Sequence, residues 1–132
     1  MKAFFENDRF AMKAGVEIME IGEGYATARM LVGPEHLNAV GVCQGGALFT
    51  LADLAFAAAS NTQTETTVSL ASNITFLRAV SGGYVYAEAR RMADHHRVPF
   101  YEVRITDERD EIVAVLTASG YRKHKPQAGN GY

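Results

Sequence analysis

Apolar and polar residues follow two different periods along this chain, and the change falls near residue 60. Residues 45–60, GGALFTLADLAFAAAS, are rich in Ala and Leu, contain no proline and are apolar on nearly every side apart from Thr50 and Asp53. That pattern predicts a buried helix. Its sixteen residues would span about 24 Å at the usual rise, enough to cross a small domain. Asn61 and Thr62 end it. Beyond it the period becomes two. Residues 67–79 alternate, which predicts Val68, Leu70, Ile74 and Phe76 on one face and Ser69, Ala71, Asn73 and Thr75 on the other. Residues 84–92, 100–106 and 112–121 are rich in β-branched and aromatic side chains and are separated by turn segments at 81–83, 94–96 and 107–110. Before the helix, residues 16–21 and 25–32 flank Gly22-Glu23-Gly24 and predict a hairpin, and residues 3–14 predict a short helix. Short connections favour antiparallel pairing. The expected architecture is an α+β domain over residues 1–122, with a curled antiparallel sheet of five to six strands around one long helix. Residues 123–132, polar and carrying Pro and Gly, are expected to form a flexible tail.

Composition narrows the class. With 132 residues, 48% hydrophobic and 21% charged, the chain can bury one domain core. Thirteen Lys and Arg against fifteen Asp and Glu leave a charge of −2, without the basic excess expected of a nucleic-acid binder. The single cysteine, Cys43, excludes an internal disulfide and a multi-cysteine zinc site, which fits a reducing cytoplasm. No apolar run approaches the roughly 18 residues of a membrane span. The first ten residues contain two acids and no long apolar stretch, unlike a secretory signal.

Two features stand out against this background. Asp53 is a carboxylate in the most apolar segment of the chain, where an unpaired buried charge is costly. It is either satisfied by a neighbouring donor or faces a cleft as a base or nucleophile. Gly45 and Gly46 open the helix, and free N–H groups there can hold an oxyanion or polarised carbonyl, although a glycine pair also serves a tight turn or close packing. Asp53 lies eight residues after Gly45, about 12 Å along the helix. A small reacting group cannot touch both in one chain. If both act on one carbonyl, they come from two subunits, which predicts a homodimer with two sites at its interface.

His36-Leu37-Asn38 through Gly41, then Gln44-Gly45-Gly46-Ala47-Leu48-Phe49-Thr50-Leu51-Ala52-Asp53, resembles the signature of the hot-dog-fold acyl-CoA thioesterases, in particular their phenylacetate-degradation-type branch. The resemblance runs from about residue 8 to 122 and includes Ser69 and the Asn73-Ile74-Thr75-Phe76-Leu77 segment. It implies hydrolysis of an acyl-CoA thioester with no metal or cofactor, coenzyme A being part of the substrate. By position it implies that Asp53 is the general base or the nucleophile. It further implies that the Gly45 N–H polarises the thioester oxygen, that Gly46 contacts the substrate, that Asn38 positions the thioester or the water, and that Ser69 helps orient that water. Gln44 stands where the family usually has His; its amide can donate a hydrogen bond but cannot shuttle a proton near neutral pH. A dimer of dimers is implied as well. Arg97 and Arg91 are candidates for the coenzyme A phosphates, along with Arg90, Arg122, Lys123 and Arg78.

Other readings compete with this one. Cys43 and His36 would pair as nucleophile and base only if the thiol reached the imidazole, and the adjacent His95-His96 forms no ligand ladder for a metal. Hydratases of the same fold need a histidine at their own spacing, and residues 45–60 contain none. The alternative from a different class is a non-catalytic acyl-CoA-binding or sensor protein, which would not need Asp53. Phe49, Phe56, Leu70 and Leu77 are expected either to line an acyl pocket or to belong to the core.

Overall fold

The computed structural model describes residues 1–61 and 65–124. Two short helices, α1 (Lys2–Phe5) and α2 (Arg9–Ala14), replace the single helix expected at 3–14. The break arises at Asp8, whose side chain accepts from the Ala11 N–H at 3.0 Å and starts a new helix. Gly15, with φ +84°, ends α2 in the left-handed conformation that glycine tolerates best.

The hairpin β1 (Val16–Gly22) and β2 (Tyr25–Val32) follows, then a single 3-10 turn at Pro34–His36 and the long helix α3 (Gly45–Ser60). Strands β3 (Glu65–Phe76), β4 (Gly83–Ala93), β5 (Phe100–Thr106) and β6 (Ile112–His124) complete one six-stranded sheet in the order β1-β2-β4-β5-β6-β3, each neighbouring pair antiparallel. β6 runs past the boundary expected at 122, since Lys123 and His124 pair with Thr66 and Glu65. The remainder of the expected tail, 125–132, lies outside the described residues, as does Thr62.

The sheet curls against one side of α3. Alanines make the approach possible: Ala26, Ala28, Ala87, Ala89, Ala114 and Ala118 line the concave face, each at most 1% exposed, beneath the buried Leu48, Leu51 and Phe56 of the helix. Phe56 meets Tyr101 of β5 edge to face at 5.3 Å, so it belongs to the core and not to an acyl pocket. Close packing is tightest at Gly120. A Cβ there would collide with the Thr67 methyl and stand 3.2 Å from the Phe56 ring, while Thr67 is tied to the Ser60 carbonyl at 2.8 Å and cannot easily turn away. Gly120→Ala is therefore expected to destabilise the protein by roughly 1–3 kcal/mol, read as a lower denaturation midpoint with an unchanged m-value.

Two expectations are corrected by the geometry. α3 is not enclosed: Gly46 is exposed, and Thr50, Asp53 and Ala57 on the same stripe are only half-buried, because the sheet wraps one side of the helix and not both. The strict alternation expected along β3 fails at Leu70, where the register against β6 shifts between Ser69 and Ala71. The extra residue is a bulge. It sets Ser69 opposite Gly120, on the concave face with Ile74 (opposite Leu116) and Phe76 (opposite Ala114), whereas Val68, opposite Tyr121, points outward. β3 is an edge strand and stays open, with Val68, Leu70 and Phe76 all about half exposed.

Candidate active site

The loop before α3 is built around Asn38. Its Oδ1 accepts from the N–H groups of Val40 at 3.0 Å and Val42 at 3.2 Å, and its own N–H donates to the Val42 carbonyl at 2.8 Å. Gly41, with φ +86°, closes the turn and donates back to the Asn38 carbonyl. Two backbone donors on Oδ1 fix the orientation of the amide, which leaves the Nδ2 hydrogens free to donate to a bound molecule.

Gln44 is the N-cap of α3 but makes no side-chain cap bond. The N–H groups of Gly45 and Gly46 therefore keep the positive end of the helix open. Gly45 cannot grow: a Cβ would stand 2.8 Å from the Phe76 ring. A cleft of about 480 Å³ opens at this point between Phe10 and Lys13 of α2, His36, and Gln44, Gly46 and Thr50. Gly45, Asn38, Asp53 and Ser69 do not line it.

Asp53 stands two turns further along α3, on the open stripe. Among the described residues none donates a hydrogen bond to it and none pairs with it. Burial pushes its carboxyl above the usual carboxylate range, and the negative charge of Asp8 pushes it the same way. The neighbouring donor that would make Asp53 a satisfied core residue is thus missing among the described residues, and its side chain lies on the open stripe of α3 outside the cleft at Gly46. Ser69, exposed on β3, has its Oγ 3.4 Å from the Ser72 hydroxyl. Thr67 touches α3 at Ser60 and Phe76 touches it at Gly45, so β3 runs antiparallel beside the helix and Ser69 lies level with its C-terminal half.

One chain therefore brings Gln44, Gly45 and Gly46 together and keeps Asp53 apart from them. The basic candidates also separate. Arg91 lies between Glu23 at 3.9 Å and Asp94 at 3.8 Å, and Arg122 bonds Asp94 at 2.9 Å. Arg90 pairs with Glu88 and stacks over Tyr25, and Arg78 pairs with Glu111 at 2.8 Å. Arg97 is exposed and its guanidinium joins no carboxylate among the described residues.

The minor candidates are accounted for. The His36 ring accepts the Gly33 N–H on Nδ1 at 2.9 Å and, protonated on Nε2, donates to the Ala14 carbonyl at 2.6 Å, so Nδ1 braces its own turn and Nε2 ties the loop to α2. Cys43 is buried, its thiol is pushed up by that burial, and its contact is the Gln44 carbonyl at 3.7 Å. They form no Cys–His pair. His95 Nδ1 accepts the N–H groups of Arg97 and Val98 and shapes its own loop. Among the described residues no three potential ligands gather as a metal site. Sequence reasoning missed Asp8, Phe10 and Lys13; the N-cap pattern of Asp8 was the available signal, but it says nothing about which helix lies beneath.

Comparison with known proteins agrees with this layout. A model of the thioesterase superfamily matches residues 40–114, from the Asn38 loop through most of the sheet. The acyl-coenzyme A thioesterase PaaI of Escherichia coli K12 is 35% identical over 121 residues, covering 91% of this chain and 86% of that protein. The solved structure of the E. coli PaaI protein from the phenylacetic acid degradation operon superposes with a TM-score of 0.87 at 34% identity, covering 92% of this chain and 88% of that one. A mutant of the phenylacetic acid degradation protein PaaI from Thermus thermophilus gives 0.82 at 31% identity, covering 86% and 98%. With its loop, helix and sheet matched in sequence and in shape, this chain belongs to the thioesterase superfamily and has the hot-dog fold of that family.

Proposed function

We propose that the protein is an acyl-CoA thioesterase that releases a carboxylic acid and free coenzyme A, working as a homodimer in which each site takes Asp53 from one subunit and Gly45 from the other. The observation that carries this reading is Asp53 itself: an unpartnered, half-buried carboxylate on the open stripe of α3. A folding core gains nothing from such a group, and a hydrolase needs one. The relationship to a named acyl-CoA thioesterase supports the substrate class.

The chemistry follows from these groups. As a base, Asp53 takes a proton from water while the oxygen attacks the thioester carbon. As a nucleophile, its carboxylate attacks the same carbon and water then cleaves the resulting anhydride. In either case negative charge develops on the carbonyl oxygen, where the Gly45 N–H and the open end of α3 stabilise it. Collapse expels the thiolate of coenzyme A, which takes up the proton. Asn38 Nδ2 and the Gln44 amide offer neutral donors beside that oxygen, and Ser69 lies alongside the helix to hold the water. Gly46 leaves room for the substrate at the mouth of the cleft, and Arg97, with Arg91 behind its carboxylates, is the basic group for the phosphates. The open edge of β3 supports pairing with a second copy, since an exposed edge strand is a template for another strand. A pairing of two such dimers and a cytoplasmic location complete the reading.

Thiol release from a panel of aryl-, short-, medium- and long-chain acyl-CoAs tests it. Turnover of at least one class is expected. Tight binding of the panel without any release would replace the hydrolase with the sensor reading.

A further inference from the structure

Asp8 holds a fixed place relative to the catalytic helix. Its cap bond to Ala11, 3.0 Å long, fixes the carboxylate at the start of α2. From there it lines a cleft of about 370 Å³ together with Leu54 and Ala57 of α3. Ala57 is one turn beyond Asp53 on the open stripe, so the two carboxylates share one flank of the helix. Burial raises the Asp53 carboxyl first, and Asp8 is the charged neighbour that adds to it. The other charges on the short helices look elsewhere. Lys2 and Glu6 line a cleft against β1 with Glu17, and Lys13 stands with Glu35 at the N-terminal end of α3. Arg9, next to Asp8 in the chain, is exposed and is not among the charges that act on Asp53. The sheet face beneath α3 presents apolar side chains such as Ala28, Ala87 and Val103.

We propose that Asp8 is a positioning residue for the reaction: a carboxylate held at Leu54 and Ala57, on the same flank of α3 as Asp53, that sets the lower pH edge of activity. The inference rests on Asp53 being the base or nucleophile. Such a group works only when ionised, and a like charge alongside opposes its ionisation. With Asp8 present, activity is lost at a higher pH than burial alone would dictate.

Asp8→Asn and Asp8→Ser both keep a cap acceptor for α2 and remove the charge. In both, the acid limb of kcat/KM is expected to move to lower pH. Added salt is expected to move the wild-type limb the same way, because Asp8 is exposed and its field is screened. A readout independent of turnover is the carbon NMR titration of the Asp53 carboxyl, whose midpoint is expected to fall in Asp8→Asn. A limb and a titration that both stay in place in folded variants overturn the role of Asp8 while leaving the proposed function intact. If the titration moves but Asp53→Asn remains fully active, the assignment of Asp53 fails and the role of Asp8 in the reaction fails with it.

Discussion

Asp53→Asn is expected to lower kcat/KM by about 10²–10⁴-fold, the range for loss of a positioned base, and to leave the protein at least as stable as before. The first half follows from the proposed chemistry: an amide neither takes a proton from water nor attacks a thioester. The second follows from linkage. Burial and Asp8 raise the folded-state affinity of Asp53 for a proton above that of the unfolded chain. The native state therefore binds more protons than the unfolded state as pH rises through that interval, and stability falls there. Once the group is ionised, its burial is a standing cost that the neutral amide removes. Asparagine is nearly isosteric, and among the described residues no partner of Asp53 is left behind unpaired. Loss of thiol release with an equal or higher Tm separates catalysis from folding. Equal rates in the two proteins would remove Asp53 from the mechanism, and a large drop in Tm would mean that the carboxylate has a structural partner in the assembled protein.

The second large effect comes from mixing two inactive proteins. Removal of the Gly45 N–H is possible with proline, which suits the first position of a helix, and Gln44 with ψ 141° already has the backbone that precedes proline. Since a Cβ at this position would press on the Phe76 ring at 2.8 Å, the variant is Gly45→Pro combined with Phe76→Leu. This protein and Asp53→Asn are each expected to be inactive. When the two are co-expressed or refolded together, half of the dimers contain one of each. One of the two sites in such a dimer then has an intact Asp53 facing an intact Gly45, so about a quarter of wild-type activity is expected to return. A site contained within one chain would restore nothing. The measurement therefore distinguishes a shared site from a self-contained one without depending on how the dimer is arranged.

The elements were legible in the sequence because their signals are local. The helix at 45–60 was found to the residue, since Gly45-Gly46 and Asn61 mark its ends and no proline interrupts it. The hairpin was marked by Gly22-Glu23-Gly24 and by alternation on both sides. The failures are equally instructive. The facing of β3 was misread because a bulge at Leu70 leaves no mark in composition; a single unpaired residue reverses every later side chain. The helix expected at 3–14 was divided by Asp8, whose capping competes with continuation of the helix. At the site, the Gly45 to Asp53 spacing revealed that the two groups cannot meet in one chain, because rise per residue is a constant of the helix. The pairing of Arg91 with Glu23 was not legible, since Glu23 reaches it from a turn far away in sequence, whereas Asp94 lies only three residues on.

The alanine-lined underside of α3 bears on how this chain can change over time. Ala26, Ala28, Ala87 and Ala89 fix the distance between helix and sheet, and that distance fixes where the open stripe stands. A bulkier side chain at any one of them lifts the helix, and with it both the carboxylate and the amide end that the reaction uses. Added bulk in this layer is expected to cost about 1–3 kcal/mol unless a facing side chain shrinks to match. The interior of the domain thus constrains its history more tightly than the rim of the cleft, where Gln44 already stands exposed and free of any cap bond.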